Sequence, residues 1–380
     1  MTTALTNGRI LTPDGFVEDK AVLVEGARIS GVVPAAEARR AASQYDLAGQ
    51  LLLPGFIDTQ VNGGGGVLFN DEPSVDAIRA IGAAHRTFGT TGFLPTLISD
   101  DLHVVAQAVA AVQAAIEARV PGVLGIHIEG PFLNEERRGV HDPAKLRDLD
   151  DSAIGLLTSL RGGATLVTLA PEMATPRLIQ KLASAGVVVS AGHTNATYAE
   201  IRTALEHGLT GFTHLFNAMS QLTGREPGVV GAALDDPGSW CGIIVDGRHV
   251  DPTVLRIALK CKPLDRFMIV TDAMPSVGMP RKFFTLQGRS IFVENGVCID
   301  SEGRLAGSDT DMARSVRNAI DLLALPLTEA VRMASEYPAN FLGLENEVGR
   351  IAAGQRANLV LATERLEVLQ TWIDGQPSAI

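Results

Sequence analysis

An alternation repeated along the middle of the chain narrows the possible folds to two. Short apolar, β-rich runs occupy 51–58, 92–97, 123–129, 165–170, 186–191, 209–215, 241–246 and 267–272. Most are separated by segments with helical spacing, such as PSVDAIRAIGAAHRTFG, DLHVVAQAVAAVQAAIEAR and TPRLIQKLASAG. Several runs, GVVVSAG and CGIIVDG among them, are apolar almost without interruption. Strands of a parallel sheet are buried on both faces and read this way, whereas half-exposed strands alternate. Eight such runs with helical crossovers predict an α/β fold, a (β/α)8 TIM-like barrel. A doubly wound open sheet is the rival on pattern alone.

The flanks read differently. ALTNGRILT, KAVLVEGARISGVV and QYDLAGQLLL near the start, and GRIAAGQRANLVLAT and LEVLQTWIDGQ near the end, are short β patterns broken by glycine-containing turns. Residues 1–50 and 345–380 are therefore expected to build one small β domain, with the barrel domain, 51–344, inserted between them. Within the insert, RKFFTLQGRSIFVENGVCIDSEGRLAG reads as hairpin structure, and helix patterns follow at 310–324 and 327–342.

Composition removes several functions. A net charge of −11 argues against nucleic acid or an anionic membrane as the main partner, though a few local cations suffice for a small phosphate. No stretch reaches the roughly 18 apolar residues of a membrane span. The beginning, MTTALTNGRILTPDG, predicts no secretory leader. Cys241, Cys261 and Cys298 have neither metal-knuckle nor CxxC spacing, which fits a reduced, cytoplasmic protein. Cys241 reads as a small core residue.

Barrel enzymes carry their catalytic groups at the C-terminal ends of the strands, and polar residues gather there. Run 1 ends in Asp58, Gln60 and Asn62, run 3 in Glu129, run 5 in His193, run 6 in His214, run 7 in Asp246 with His249 after it, and run 8 in Asp272. Glu129, His193 and His214 form a His2Glu set, and catalytic zinc sites commonly use three protein ligands and leave one position open. Imidazole and carboxylate suit zinc and also divalent iron. Asp272 reads as a general base beside the water that such a metal acidifies. His127, two residues before Glu129, points to the same side of its strand one layer deeper and reads as a core or supporting residue. His85, His103 and His207 fall in helix patterns and read as surface or capping residues. The four glycines after Asn62 lack both phosphate-loop patterns and read as a place of close backbone approach.

PGFIDTQVNGGGG, GIHIEGPFLN, GVHDP, SAGHTNA, THLFNAM, VDGRHV and VTDAMP occur here in one order. Together they resemble the N-acetylglucosamine-6-phosphate deacetylases of the amidohydrolase superfamily, from about Leu51 to Gly354. The resemblance implies a (β/α)8 barrel with a small β-sandwich domain formed by both chain ends, a homodimer, and hydrolysis of the acetamide of an amino-sugar phosphate. It makes Glu129, His193 and His214 the metal ligands and Asp272 the general base and acid. It places His141 near the acetamide and Asn217, Ala218, Arg225, Leu305, Ala306 and Gly307 along the sugar phosphate. His249 is expected to reach the phosphate across the dimer interface. One departure matters. Many superfamily members have His-x-His after strand 1 and hold a second metal there, whereas Gln60 and Asn62 are weak amide ligands. One divalent metal per subunit is expected, zinc before iron. Gln60 and Asn62 then hold the attacking water, contact the substrate, or only fill the second position. The alternatives are a deacetylase for N-acetylgalactosamine 6-phosphate, another amidohydrolase such as a cyclic amidase, and a non-catalytic relative.

Overall fold

A computed structural model describes residues 1–294 and 296–378. Its centre is an eight-stranded parallel sheet, β1 (Phe56–Val61), β2 (Thr90–Ile98), β3 (Gly125–Glu129), β4 (Ala164–Leu169), β5 (Val188–Ala191), β6 (Leu209–Phe212), β7 (Trp240–Ile243) and β8 (Phe267–Ile269), paired in chain order. The last seam is made without a full ladder. Gln60 O accepts the N–H of Asp272 at 3.0 Å, and Ala273 O accepts the N–H groups of Asn62 and Gly63 at 2.9 and 3.0 Å. The Asp58 carboxylate adds Thr271 Oγ1 at 2.5 Å. This is the expected barrel, and the open-sheet rival is set aside.

Period-two alternation decides what each strand sends inward. On β3, Ile126 and Ile128 pack outward against the helical shell, and His127 and Glu129 point in. The floor of the barrel is apolar, from Ile57, Leu94, Leu124, Leu166 and Met268, with Phe341 packed against them. Above it lies a polar layer. His127 Nε2 meets Thr168 Oγ1 at 2.8 Å, Thr168 Oγ1 meets Thr213 Oγ1 at 2.6 Å, and Thr213 Oγ1 donates to Ser190 Oγ at 2.8 Å. Buried polar groups are affordable only when paired in this way. The third layer is the rim where Glu129, His193 and His214 stand.

The chain ends form two further sheets. One runs Arg28–Pro34, Lys20–Glu25, Thr2–Thr6, Ser43–Asp46. The other runs Gln376–Pro377, Val368–Ile373, Leu359–Ala362, Leu51–Pro54, Arg9–Thr12, Gly15–Val17, and so joins both ends of the chain. Their inner faces share a core of Leu5, Val22, Ile29, Ile10, Leu52, Leu359 and Trp372. A four-stranded antiparallel sheet over Phe283–Ser308 follows β8.

Two expectations need correction. The apolar run 51–58 is not one strand. Leu51–Pro54 pairs with Arg9–Thr12 and Leu359–Ala362 in the terminal sheet, and the barrel strand begins only at Phe56. Gly55 makes the change of sheet, because a Cβ there would lie 1.9 Å from Thr91 Oγ1. The helix pattern 327–342 is likewise two helices, Leu327–Met333 and Glu336–Phe341. Pro338 has no N–H for the next helical bond and is accommodated in the first turn of the second.

Asp58 carries a pH signature. Burial pushes its carboxyl up to about 7, against the Thr271 hydroxyl and the backbone N–H groups of Gln60 and Thr271 that favour the charge. The folded chain then keeps this proton to about pH 7, while the unfolded chain releases it near the ordinary carboxyl value of 3.8. The contribution to stability is therefore complete below the unfolded value and is lost as pH rises through about 7. At about 1.4 kcal/mol per pH unit its ceiling is on the order of 4 kcal/mol. In Asp58→Asn, the thermal midpoint of metal-free protein is expected to gain on wild type as pH rises from about 4 to about 7 and to keep that gain at pH 8. Parallel pH profiles for the two proteins would contradict this assignment.

Candidate metal centre

Three donor atoms converge at the rim. Glu129 Oε1 lies 3.2 Å from His193 Nε2 and 3.0 Å from His214 Nε2, and the two Nε2 atoms are 3.1 Å apart. All three side chains are buried. His193 Nδ1 lies 2.8 Å from the carbonyl oxygen of Arg137 and must donate to it. In the neutral imidazole this leaves Nε2 as a lone pair facing a carboxylate oxygen, and two acceptors so close repel unless a cation joins them. Tetrahedral zinc with bonds of about 2.0–2.2 Å holds neighbouring donor atoms about 3.3–3.5 Å apart. The triangle is only slightly tighter, so the donor set fits a divalent metal in spacing and chemistry. The histidines leave their strands through left-handed backbone, φ 49° at His193 and 35° at His214, and Asp272 does the same at 53°. Non-glycine residues are uncommon there, and such strain is stored mostly at functional sites.

The electrostatics follow from burial. Burial alone would raise the Glu129 carboxyl, but the His193 and His214 rings set against it outweigh burial and hold Glu129 well below the usual range. Asp272 moves the other way. Burial, then the nearby Glu129 charge, push it up to about 6, against His214, His249 and the Asn62 amide.

Gln60 and Asn62 have a specific task. Gln60 Nε2 donates to Glu129 Oε1 and to Asp272 Oδ1, both at 3.1 Å, and Asn62 Nδ2 donates to Asp272 Oδ1 at 2.7 Å. Two neutral amides thus tie one oxygen of Asp272 and leave its Oδ2 without a side-chain partner among the described residues. Asn62 is held in turn by the glycine loop. His85 Nε2 bonds Gly63 O at 2.9 Å, and a Cβ on Gly64 would lie 2.7 Å from that same nitrogen. His85 is therefore no surface residue. It is fully buried, and burial lowers its imidazole to about 4. The spacing Ile78, Ile81, His85 had placed it on the apolar face of helix Val75–Arg86. His103 is exposed and His207 caps helix Tyr198–Glu206, as expected. His127 is buried in the polar layer, where burial lowers it to about 4.

A cavity of about 360 Å3 opens over the triangle. Of the sequence candidates, Asn62, Glu129, His141, His193, His214, Asn217, Ala218, His249, Asp272, Leu305 and Gly307 line it. Gln60 sits just below, and Ala306 is buried behind its neighbours. Arg225 is exposed and outside the cavity. His249 lines the cavity of its own chain, with Nδ1 2.6 Å from Asp246 Oδ2. The sequence reading missed two arginines that do line the cavity, Arg137 and Arg304. It also missed Ser99, whose backbone N–H donates to His141 Nδ1 at 3.3 Å and whose hydroxyl lies 2.7 Å from the same atom. Ser99 follows β2 directly, and that rim position was its only signal. With Nδ1 accepting, the proton of His141 is on Nε2. Burial, and then the nearby His193, lower this imidazole to about 3, so it remains a neutral N–H donor.

Residues 51–377 match the model of the amidohydrolase family, and residues 3–52 match that of the NagA composite domain. The chain is similar to an N-acetylgalactosamine-6-phosphate deacetylase of Shewanella sp. (strain ANA-3), 42% identical over 97% of this chain and 94% of that one. It is similar to an N-acetylglucosamine-6-phosphate deacetylase of Haemophilus influenzae, 38% identical over 99% of both. The crystal structure of N-acetylglucosamine-6-phosphate deacetylase from Pasteurella multocida superposes with a TM-score of 0.96 at 37% identity, covering 100% of both chains.

Proposed function

This chain belongs to the amidohydrolase family, and from that premise we propose that it hydrolyses the acetamide of N-acetylglucosamine 6-phosphate, giving glucosamine 6-phosphate and acetate. The observation that carries this reading is the triangle of Glu129, His193 and His214 beside an Asp272 tied by two amides. Those three residues would hold one divalent metal ion, zinc before iron. The second position is taken by amides already committed to Asp272. Held by Glu129, His193 and His214, such an ion would supply polarisation of the acetamide carbonyl and a lowered pKa for the attacking water.

The chain's own residues supply the rest. The His141 Nε2–H is directed at the acetamide oxygen, where negative charge develops. Asp272 Oδ2 takes the proton of the water as its oxygen bonds to the carbonyl carbon. The same proton then passes to the amide nitrogen, the C–N bond breaks, and the sugar leaves as an amine with acetate as the second product. A carboxyl near pH 6 is suited both to take a proton and to return it. Asn217, Ala218, Leu305 and Gly307 line the path of the sugar. The phosphate is expected near His249, Arg137 and Arg304. Arg225 would join them only from a second subunit of the homodimer that the resemblance implies. No helix among the described residues is long and apolar enough to cross a membrane, and a cytoplasmic enzyme acting on a small soluble substrate is the reading we adopt.

The Shewanella relative bears the name of the galacto epimer, so the second reading is deacetylation of N-acetylgalactosamine 6-phosphate by the same chemistry. Acetate release from the two epimers and from unphosphorylated N-acetylglucosamine separates the cases. Loss of the phosphate is expected to lower kcat/KM on the order of 100-fold, as for losing charge-assisted hydrogen bonds. The gluco epimer is expected to exceed the galacto epimer. The reverse order would transfer the assignment to the second reading, and no acetate from either would remove both.

A further inference from the structure

Beneath the triangle, His214 also borders a second, small cavity among buried residues, together with Gln60, His127, Ser190, Thr213 and Gly242 and with apolar side chains such as Leu166 and Phe341. About 10 Å3 of it is open to a water molecule, close to the space one water requires. Two polar groups at its wall are incompletely satisfied. His214 Nδ1 is buried and has no partner among the described residues. Ser190 Oγ accepts from Thr213, and its own proton meets no acceptor among the described residues.

These two groups explain each other. A histidine that ligates metal through one nitrogen almost always donates its other N–H to a carboxylate, a carbonyl or a water, which fixes the tautomer and the ring. His193 uses the Arg137 carbonyl for this. His214 Nδ1 has no such partner among the described residues, yet His214 borders a cavity of about the right size whose mostly apolar wall also carries Gln60, His127, Ser190 and Thr213. We propose that this cavity is a binding site for one structural water, which accepts the His214 Nδ1–H and the Ser190 hydroxyl proton and so orients His214 from below. Ser190 and the water are then positioning groups for the metal centre. The proposal rests on His214 being a metal ligand.

Gly242 gives a test that removes no polar group. A Cβ there would have Val270 Cγ1 at 3.4 Å, His214 N at 3.6 Å and Phe212 O at 3.6 Å, all ordinary contacts. In Gly242→Ala a methyl therefore takes the space of the water without a clash. Wild type, Gly242→Ala and Ser190→Ala are compared by high-resolution crystallography of the zinc-loaded protein, by zinc affinity in competition with a chelator, and by thermal midpoint without metal. Wild type is expected to show one water about 3 Å from both His214 Nδ1 and Ser190 Oγ, absent from Gly242→Ala. Zinc affinity is expected to fall about 10- to 100-fold in Gly242→Ala, and in the same direction in Ser190→Ala. The metal-free midpoint of Gly242→Ala is expected to equal or exceed wild type, because alanine lowers the entropy of the unfolded chain. A merely structural defect would lower it. If that midpoint does fall, Ser190→Ala decides alone, and wild-type affinity there overturns the proposal. A dry wild-type cavity with zinc on His214 overturns it and spares the proposed function. No zinc on His214 in wild type overturns both.

Discussion

Asp272→Asn is expected to lower kcat/KM for acetate release by about 100- to 10,000-fold, the range that a positioned acid–base group contributes. Asparagine keeps the shape and can present its oxygen to Gln60 Nε2 and Asn62 Nδ2, which now bond Oδ1. What it lacks is a group that can take a proton from water and return it to the amine. The loss should therefore fall on kcat, with zinc content and thermal midpoint close to wild type. An Asp272→Asn enzyme that released acetate at the wild-type rate would remove Asp272 from the chemistry. The companion variant Gln60→Ala separates orientation from proton transfer. It leaves the carboxylate in place but takes away one of its two amide donors, so its loss is expected to be smaller.

The second large effect concerns Glu129. It is the only anion of the triangle, and its Oε1 meets both histidine nitrogens. Glu129→Gln keeps the volume and removes the charge. Its amide also brings a donor to a place where Gln60 already donates. Groups that merely orient a ligand typically cost 10- to 100-fold in metal affinity when removed, so loss of a ligand is expected to cost at least about 100-fold. Dialysed Glu129→Gln protein should carry little metal by elemental analysis, and its activity should return only in part at high zinc. Full metal occupancy after dialysis would show that Glu129 is not a ligand.

The triangle was legible in the sequence because the barrel does the assembling. Each of Glu129, His193 and His214 closes an apolar run, and parallel strands of a closed sheet deliver all their C-terminal ends to one rim. No contact had to be known beforehand. The period-two rule also placed His127 correctly below Glu129. Features that depend on loops behaved differently. Arg225, in TGREPG, and Arg137, in NEERRGV, both lie in polar stretches that give no sign of which one faces the site. Only the folded path of the loops brings Arg137 to the cavity and leaves Arg225 outside. The run 51–58 misled because both of its halves are buried, one in each sheet, and hydropathy does not register a change of sheet at Gly55. His85 was misjudged by residue type, although its helical spacing with Ile78 and Ile81 carried the right answer.

The question raised by Gln60-x-Asn62 also changes character. Amides in place of imidazoles could signify a degraded second metal site. Here both amide groups donate to Asp272, and Gln60 reaches Glu129 as well. They hold Asp272 in place while its burial pushes the carboxyl up to about 6. A second cation at that position would have to displace these hydrogen bonds, and the amides offer only weak ligation in return.

That reasoning makes the number of metal ions the most direct test of the account. Metal-free protein is titrated with zinc while acetate release from N-acetylglucosamine 6-phosphate is followed. Activity is expected to rise linearly and to reach its plateau at one ion per chain. A plateau at two ions per chain, or full activity before any zinc is added, would contradict the single-metal centre on Glu129, His193 and His214.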